Sequence, residues 1–252
     1  MASDGLASAV QALPPPWRGH YFDAVDSTQD EARAAAQRGA PTRSVFAADF
    51  QRAGRGRQAR TWVAGPGSAL LVSLLFRETN SAPTPFRWTS LTSVALAEAI
   101  EDLLDVQSAM KWPNDLMLND RKLAGILGET SFDGQQLLVI VGVGVNVNTP
   151  IADLATIPGR ATSLSAACGH CVDRGQLLLR LVQRVDHWLD RPAANLYAAW
   201  ESRLWGRGQH LRLLDLGEQQ DVVVLGANAD GSLRIRVPNG AERTTTTGEL
   251  II

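Results

Sequence analysis

Residues 136–147, reading Gln-Leu-Leu-Val-Ile-Val-Gly-Val-Gly-Val-Asn-Val, are an apolar run with almost no polar interruption. Its β-branched content reads as a strand. A strand that covered only one layer would alternate apolar and polar residues; this one does not, so both of its faces are predicted to be buried. The chain must then supply material for both sides of a sheet, which points to an α+β fold with a central sheet flanked by helices. Gly142 and Gly144 fall on one face of this strand, and Asn146 follows them by parity. Glycine weakens a buried strand, so two of them on one face signal close approach of another body. Either a flat ligand or a tight helix contact meets that need. Were the strand at a sheet edge, it could also pair with a second copy, giving a possible homodimer.

The rest of the chain supplies the predicted layers. Strands are expected at His20–Val25, Ser44–Asp49, Ser68–Arg77, Ala109–Trp112, Asp115–Leu118 and Lys122–Glu129. A helix should start after Ser27 or Thr28, because Thr28-x-x-Glu31 has the spacing of a capping box, and stop at Gly39. Apolar residues at helical spacing mark 88–104, 173–190 and 192–204. From Gln209 the pattern changes to short alternating segments (211–215, 221–226, 232–237) separated by Leu216-Gly217, Asp230-Gly231 and Asn239-Gly240, which reads as a small C-terminal β-barrel. The expected division is a loose leader over 1–16, a main domain over 17–206 and the barrel over 207–252.

Between strands, Gln51-Arg52-Ala53-Gly54-Arg55-Gly56-Arg57-Gln58-Ala59-Arg60-Thr61-Trp62 holds four arginines and no acid. Glycines let backbone approach a ligand, and guanidinium groups are forked donors for phosphate or carboxylate. Such a loop suits an anionic small molecule. Gly54-x-Gly56-x-x-Ala59 matches a dinucleotide-binding fingerprint in form, but a helix would have to begin at once, and Ala64-Gly65-Pro66-Gly67 prevents one. The charge is local. With 24 basic and 26 acidic residues the chain carries −2 overall, which argues against DNA as a partner. No apolar run reaches the ~20 residues of a membrane helix, and the N-terminus lacks the pattern of a signal peptide. A cytoplasmic protein is expected. Cys168 and Cys171 form a CxxC, but no second ligand pair stands near for zinc, and the plain reading is small residues near a helix end.

A second cluster is Lys111-Trp112-Pro113-Asn114-Asp115 followed by Arg121-Lys122-Leu123-Ala124-Gly125-Ile126-Leu127-Gly128-Glu129. Lys111 and Lys122 end and begin neighbouring strands, so both ammonium groups can reach one pocket. Asn114 and Asp115 place oxygen donors on the turn between them, a donor type that suits magnesium.

Ser27-Thr28-Gln29, the arginine loop, the Lys111–Glu129 block and Gly142-x-Gly144-x-Asn146-x-Asn148 occur in an order that resembles the biotin–protein ligases, from about Tyr21 to the C-terminal segment. Gln29 stands where Asn is usual, Gln58 where arginine is frequent and Ala59 where glycine is frequent. The resemblance implies a biotin/lipoate ligase fold of the class II synthetase-like kind. It implies ATP-dependent activation of biotin to biotinyl-5'-AMP, then transfer to a lysine of a biotin carboxyl carrier domain of acetyl-CoA carboxylase or a related carboxylase. No repressor function is expected, since the residues before Ser27 are few and proline-rich compared with the helix-turn-helix of longer members. The resemblance places Ser27, Thr28, Gln29, Gln51, Gly54, Arg55, Gly56, Arg57, Lys122, Gly142 and Gly144 around biotin. It places Arg57, Arg60, Trp62, Asn114, Asp115 and Asn146 around the nucleotide, and magnesium at Asp115 and Asn146. Lys111, Arg57 and Lys122 are the implied catalytic cations. Such chemistry needs no protein nucleophile, and the chain shows neither Gly-x-Ser-x-Gly nor a convincing Cys–His pair. Two rivals are a lipoate–protein ligase, whose Arg-Arg-x-x-Gly-Gly signature is missing, and a non-enzymatic biotin-sensing module.

Overall fold

The structure is a computed structural model describing residues 5–78, 85–134, 136–157 and 159–251. The first sheet contains β1 (Arg18–Val25), β2 (Ser44–Gln51), β5 (Ala69–Glu78), β6 (Ala109–Lys111), β7 (Asp115–Leu118), β8 (Arg121–Asp133) and β9 (Gln136–Asn146); between β2 and β5 lies a separate two-stranded ribbon, β3 (Gly54–Arg55) and β4 (Thr61–Trp62). The sheet order is β1-β2-β5-β9-β8-β7-β6. Only β1 and β2 run parallel; the other pairings are antiparallel. The apolar strand β9 therefore lies in the middle of the seven, as its unbroken hydrophobicity requires. Both of its edges are occupied along its length, so the sheet-edge route to a homodimer is closed.

Parity along β9 divides the molecule. Val139, Val141, Val143 and Val145 belong to the main core, together with α3 (Pro85–Leu104) and α6 (Arg174–Leu189). Leu138 and Ile140, on the opposite face, meet Ala32, Ala35 and Ala36 of α2 (Thr28–Gln37). Alanines let that helix sit close to the sheet. Gly142, Gly144 and Asn146 continue the second face beyond the helix N-terminus. The sheet is thus covered by α2 at one end and left open to a cavity at the other.

Ser27 is the N-cap of α2, its Oγ accepting from Gln29 N at 3.3 Å. Thr28 is the first helical residue, and its hydroxyl is spent elsewhere, so the expected Thr28–Glu31 capping box gives way to a Ser27 cap. The leader over residues 1–16, expected to be loose, instead holds α1 (Leu6–Gln11) from residue 5 onward. Leu6 and Val10 are buried in the main core, and α1 packs on α6. Six residues are too few for a helical pattern to stand out in an Ala- and Pro-rich stretch.

Further along are α4 (Ile151–Leu154), α5 (Leu164–Cys168) and α7 (Ala193–Ser202). The C-terminal unit comprises β10 (His210–Asp215), β11 (Glu218–Ala227), β12 (Leu233–Arg236), β13 (Glu242–Thr245) and β14 (Glu249–Ile251), in the order β13-β12-β11-β10-β14. The hairpins were legible, but the predicted barrel is an antiparallel sheet. Among the described residues β13 and β14 are its two edges, and nothing closes them. No helix among the described residues is long and apolar enough to cross a membrane.

Candidate active site

A cavity of about 1020 Å³ opens over the glycine-bearing half of β9. It is bounded by the N-terminus of α2, the arginine loop, the β6–β8 strands, a wall formed by Thr156, Ile157, Gly159, Arg160 and Ala161, and the tip of the C-terminal sheet. Apart from Gly54, every residue expected around biotin or nucleotide borders it.

At one end the α2 N-terminus meets the sheet. Gln51 Oε1 accepts from Thr28 N at 2.8 Å and from Thr28 Oγ1 at 3.0 Å, and Thr28 Oγ1 lies 2.8 Å from Ser73 Oγ. Gln29 Nε2 donates to Leu127 O at 3.2 Å, and its side chain lies across Gly142. A Cβ at residue 142 would stand 2.8 Å from Gln29 Cδ, closer than packed carbons tolerate. This end is small, apolar-floored and fringed with amide and hydroxyl groups, beside the positive end of a helix.

The arginine loop folds back on itself. β3 and β4 pair as Gly54↔Trp62 and Arg55↔Thr61, bringing the Trp62 carbonyl to 2.5 Å from where a Cβ on Gly54 would be. Gly54 thus serves the turn-back rather than the cavity wall. The ribbon lays the Trp62 ring over Gly144 and Gly125, with a Cβ on Gly144 falling 2.6 Å from Trp62 Cε2. The indole N–H is buried with no hydrogen-bond partner among the described residues. Gln58 and Ala59 both have positive φ, 54° and 58°. Ala59 thus occupies a left-handed position that glycine adopts more easily, which is why glycine is frequent there in the resembling family.

Both ends of the loop are tied by charge. The Arg55 guanidinium pairs with Asp30 and lies 3.6 Å from Glu129, and Arg33 bridges the same two acids. Its head group is therefore held on the outer wall by α2 and β8. Arg60 Nη1 lies 2.6 Å from Glu249 Oε2 on β14. Between them Arg57 Nη1 donates to Asn114 Oδ1 at 3.5 Å. Burial pulls the Arg57 guanidinium below its ordinary pKa, with Glu249 and Asp115 pushing back. It remains a cation, partly desolvated, with no carboxylate in ion-pair contact among the described residues.

Lys111 and Lys122 do converge on one cavity. Antiparallel pairing sets Lys111 against Asp115 in β6–β7, and Asp115 against Gly125 in β7–β8. Lys122 Nζ lies 2.7 Å from Asp115 Oδ1, and Lys111 Nζ lies 3.5 Å from Glu249 Oε1. Half-burial alone would raise the Glu249 carboxyl; Lys111, Arg60 and Lys122 outweigh it and hold it below the usual carboxylate value. The arrangement concentrates positive charge around a space of ligand size, as binding two anions demands.

Both residues expected at magnesium, Asp115 and Asn146, border the cavity and already have protein partners. Asn146 is buried, donating Nδ2 to Thr162 O at 3.1 Å and accepting from Thr149 Oγ1 at 3.5 Å. Asp115 is ion-paired to Lys122. Among the described residues no group of three or more His, Cys, Asp or Glu side chains is placed to hold a metal.

Sequence reasoning missed Glu249, the Asp30–Arg33–Glu129 cluster and the wall from Thr156 to Ile157 and Gly159 to Ala161. An acid directly after Gly248 in an apolar tail was the only local sign of Glu249. The wall is brought to the cavity by two backbone bonds, Lys122 N to Arg160 O at 2.7 Å and Thr162 N to Lys122 O at 2.9 Å, and has no sequence signature.

A central sheet with a cation-lined, glycine-floored cavity is an architecture shared with known proteins. The model of the Biotin/lipoate A/B protein ligase family matches residues 21–146. The Bacillus subtilis protein "Bifunctional ligase/repressor BirA" is 32% identical over 229 residues, covering 88% of this chain and 70% of that protein. The Paracoccus denitrificans "Biotin--[acetyl-CoA-carboxylase] ligase" is 31% identical over 226 residues, covering 86% of this chain and 93% of that one. Among solved structures, the biotin protein ligase from Aquifex aeolicus in complex with biotin and ATP superposes with a TM-score of 0.74 at 25% identity, covering 92% of this chain and 97% of that one. The chain belongs to the Biotin/lipoate A/B protein ligase family.

Proposed function

We propose that this chain is a biotin–protein ligase that forms biotinyl-5'-AMP from biotin and ATP and passes biotin to a carrier lysine. The single observation that carries the reading is the convergence of Lys111, Lys122, Arg57 and Arg60 on one cavity floored by Gly142 and Gly144. A biotin carboxylate and a triphosphate repel each other, and a site that joins them must offset that repulsion while aligning the reacting atoms.

In the first step a biotin carboxylate oxygen forms a bond to the α-phosphorus, and the bond from that phosphorus to the bridging oxygen breaks, releasing pyrophosphate. In the second, the carrier lysine, as a free amine, attacks the acyl carbon. AMP leaves with the bonding electrons and the proton passes to solvent. Biotin's bicyclic ring fits the end bounded by Ser27, Thr28, Gln29 and Gln51 over Gly142, with the backbone of Arg55-Gly56-Arg57 alongside. Lys122 is placed to meet the carboxylate where it joins the phosphate. Lys111 is assigned to the charge that grows on the α-phosphate. Arg57, Arg60, Trp62, Asn114 and Asn146 form the nucleotide side, with Asp115 holding Lys122 in place. The orphan Trp62 N–H supports a polar ligand beside that ring. Magnesium enters only as the counter-ion that ATP carries, with no protein cage behind it.

Residues 17–206 are taken as the unit that activates biotin and 207–252 as the unit that closes the nucleotide side. The carrier is a biotin carboxyl carrier domain of acetyl-CoA carboxylase or a related enzyme, and a cytoplasmic setting suits its need for ATP. The test is incubation with ATP, magnesium, an apo-carrier and either biotin or lipoate, followed by mass measurement of the carrier. A biotin-sized gain with biotin alone is expected. A gain only with lipoate, or pyrophosphate release with neither acid, would overturn the assignment.

A further inference from the structure

Among the described residues that line the cavity, Glu249 is the carboxylate contributed by the C-terminal sheet, and it stands among groups that the proposed function assigns to phosphate. Its two oxygens divide between Arg60 Nη1 at 2.6 Å and Lys111 Nζ at 3.5 Å. Its side chain is about one-fifth exposed and that of Lys111 less, so this is not a solvated surface pair. A carboxylate held by two cations inside an anion site fills, in charge, the place an anionic ligand would take. Glu249 opens β14, which among the described residues is an edge strand paired with β10 alone, with Leu214↔Glu249 as the terminal pairing. Among the described residues no further strand pairs with its outer side.

We propose that Glu249 is a resident counter-anion that the nucleotide's phosphates displace from Lys111 and Arg60, so that it sets nucleotide affinity according to ligand charge. With the cavity empty, Glu249 neutralises part of the cationic cluster and joins the arginine loop to the C-terminal sheet. A triphosphate outcompetes one carboxylate; a nucleoside without phosphate cannot. The cost of displacing it falls on ligands that carry phosphate and not on adenosine, so Glu249 tempers the site's preference for the more highly charged nucleotides without reading anything but charge. Displacement also separates Arg60 from β14, so nucleotide occupancy is passed to the C-terminal sheet. A rival role for the same side chain is direct recognition of the nucleotide's ribose hydroxyls. That role predicts the opposite sign when the charge is removed.

This inference rests on the proposed ATP site, and the experiment separates the two. ATP, ADP, AMP and adenosine are titrated calorimetrically into the full chain, wild type and Glu249→Gln, with biotin replaced by its non-reactive alcohol analogue. Removing the competing charge should tighten ATP by about three- to tenfold, ADP by less, and leave adenosine unchanged. Affinity for the biotin alcohol reports that the variant is folded, and Glu249→Ala, which cannot hydrogen-bond, should show the same charge-graded series. Weaker ATP binding, or an equal change for all four ligands, overturns the counter-anion role. Wild-type protein that binds ATP, with variants that bind it no tighter, overturns this inference alone. Wild-type protein that binds no ATP overturns the ligase assignment and this inference together.

Discussion

Gly144→Ala isolates the contact between the sheet floor and the arginine loop. The added methyl would lie 2.6 Å from Trp62 Cε2, 2.8 Å from Cδ2 and 3.0 Å from Cζ2. Packed carbons need roughly 3.5 Å, so one partner must move by about 1 Å. Residue 144 sits inside a strand bonded on both sides, at Leu71 and Gly125. The Trp62 indole has no hydrogen bond to hold it. The ring and its ribbon therefore give way, not the strand. Gly144 is not among the glycines with positive φ, so alanine suits the backbone and recovers about 0.5–1 kcal/mol of strand propensity. That partly offsets an overpacking cost of about 1–3 kcal/mol. The net loss should lie between nothing and ~2.5 kcal/mol, a shift of no more than roughly 10 °C in Tm. Misplacing a wall of the site by ~1 Å can cost on the order of 100-fold in rate. Single-turnover pyrophosphate release and thermal melting, run on the same protein, should thus separate: activity at a temperature well below the melt falls sharply while the protein stays folded. Gly125→Ala, whose methyl would meet Trp62 Cζ3 at 3.3 Å, should be much milder, and Trp62→Phe should partly rescue Gly144→Ala. Near-normal adenylation by Gly144→Ala, or equal damage from Gly125→Ala, would refute the steric reasoning.

Four other outcomes are expected. Lys111→Ala should slow adenylate formation by orders of magnitude with Tm preserved; pyrophosphate release near the wild-type rate would remove Lys111 from the chemistry. Arg57→Ala should speed escape of preformed biotinyl-5'-AMP, read in a chase experiment, and an unchanged off-rate would make the loop a bystander. Arg174 is buried, donating to Ala69 O at 3.0 Å and to Asp49 Oδ1 at 2.6 Å; Arg174→Met should cost about 2–3 kcal/mol in urea unfolding, discounted because Asp49 is partly exposed. The Glu249 carboxyl is held below its unfolded pKa, so its contribution to stability is complete above the ordinary value of about 4.3 and is lost as pH falls through the folded value. Glu249→Gln should therefore lose less stability than wild type on acidification, and parallel acid limbs would contradict the pairing.

Much of the fold could be read because burial leaves a periodic trace. The apolar run of β9 specified a strand covered on both faces, though not its place in the sheet, and parity put Gly142, Gly144 and Asn146 on one face without coordinates. The motif residues of the site were legible too, since the arginine loop and the Lys111–Lys122 block are local in sequence. Two readings failed for physical reasons. The barrel failed because alternation reports strands but not whether the first and last of them pair. The loose leader failed because α1 is stabilised by packing on α6, far away in sequence.

The sequence by itself determined most of the strands and the longer helices, which face of β9 carries the glycines, and which stretches carry the cations, because periodicity and local charge are properties of neighbours along the chain. Only the tertiary structure decided that Glu249 reaches across from the last strand to Lys111 and Arg60, that Arg55 pairs with Asp30 and Glu129, and that Trp62 lies on Gly144. Those pairings join segments distant in sequence, and their energies arise only once the sheet has brought the segments within a few ångströms.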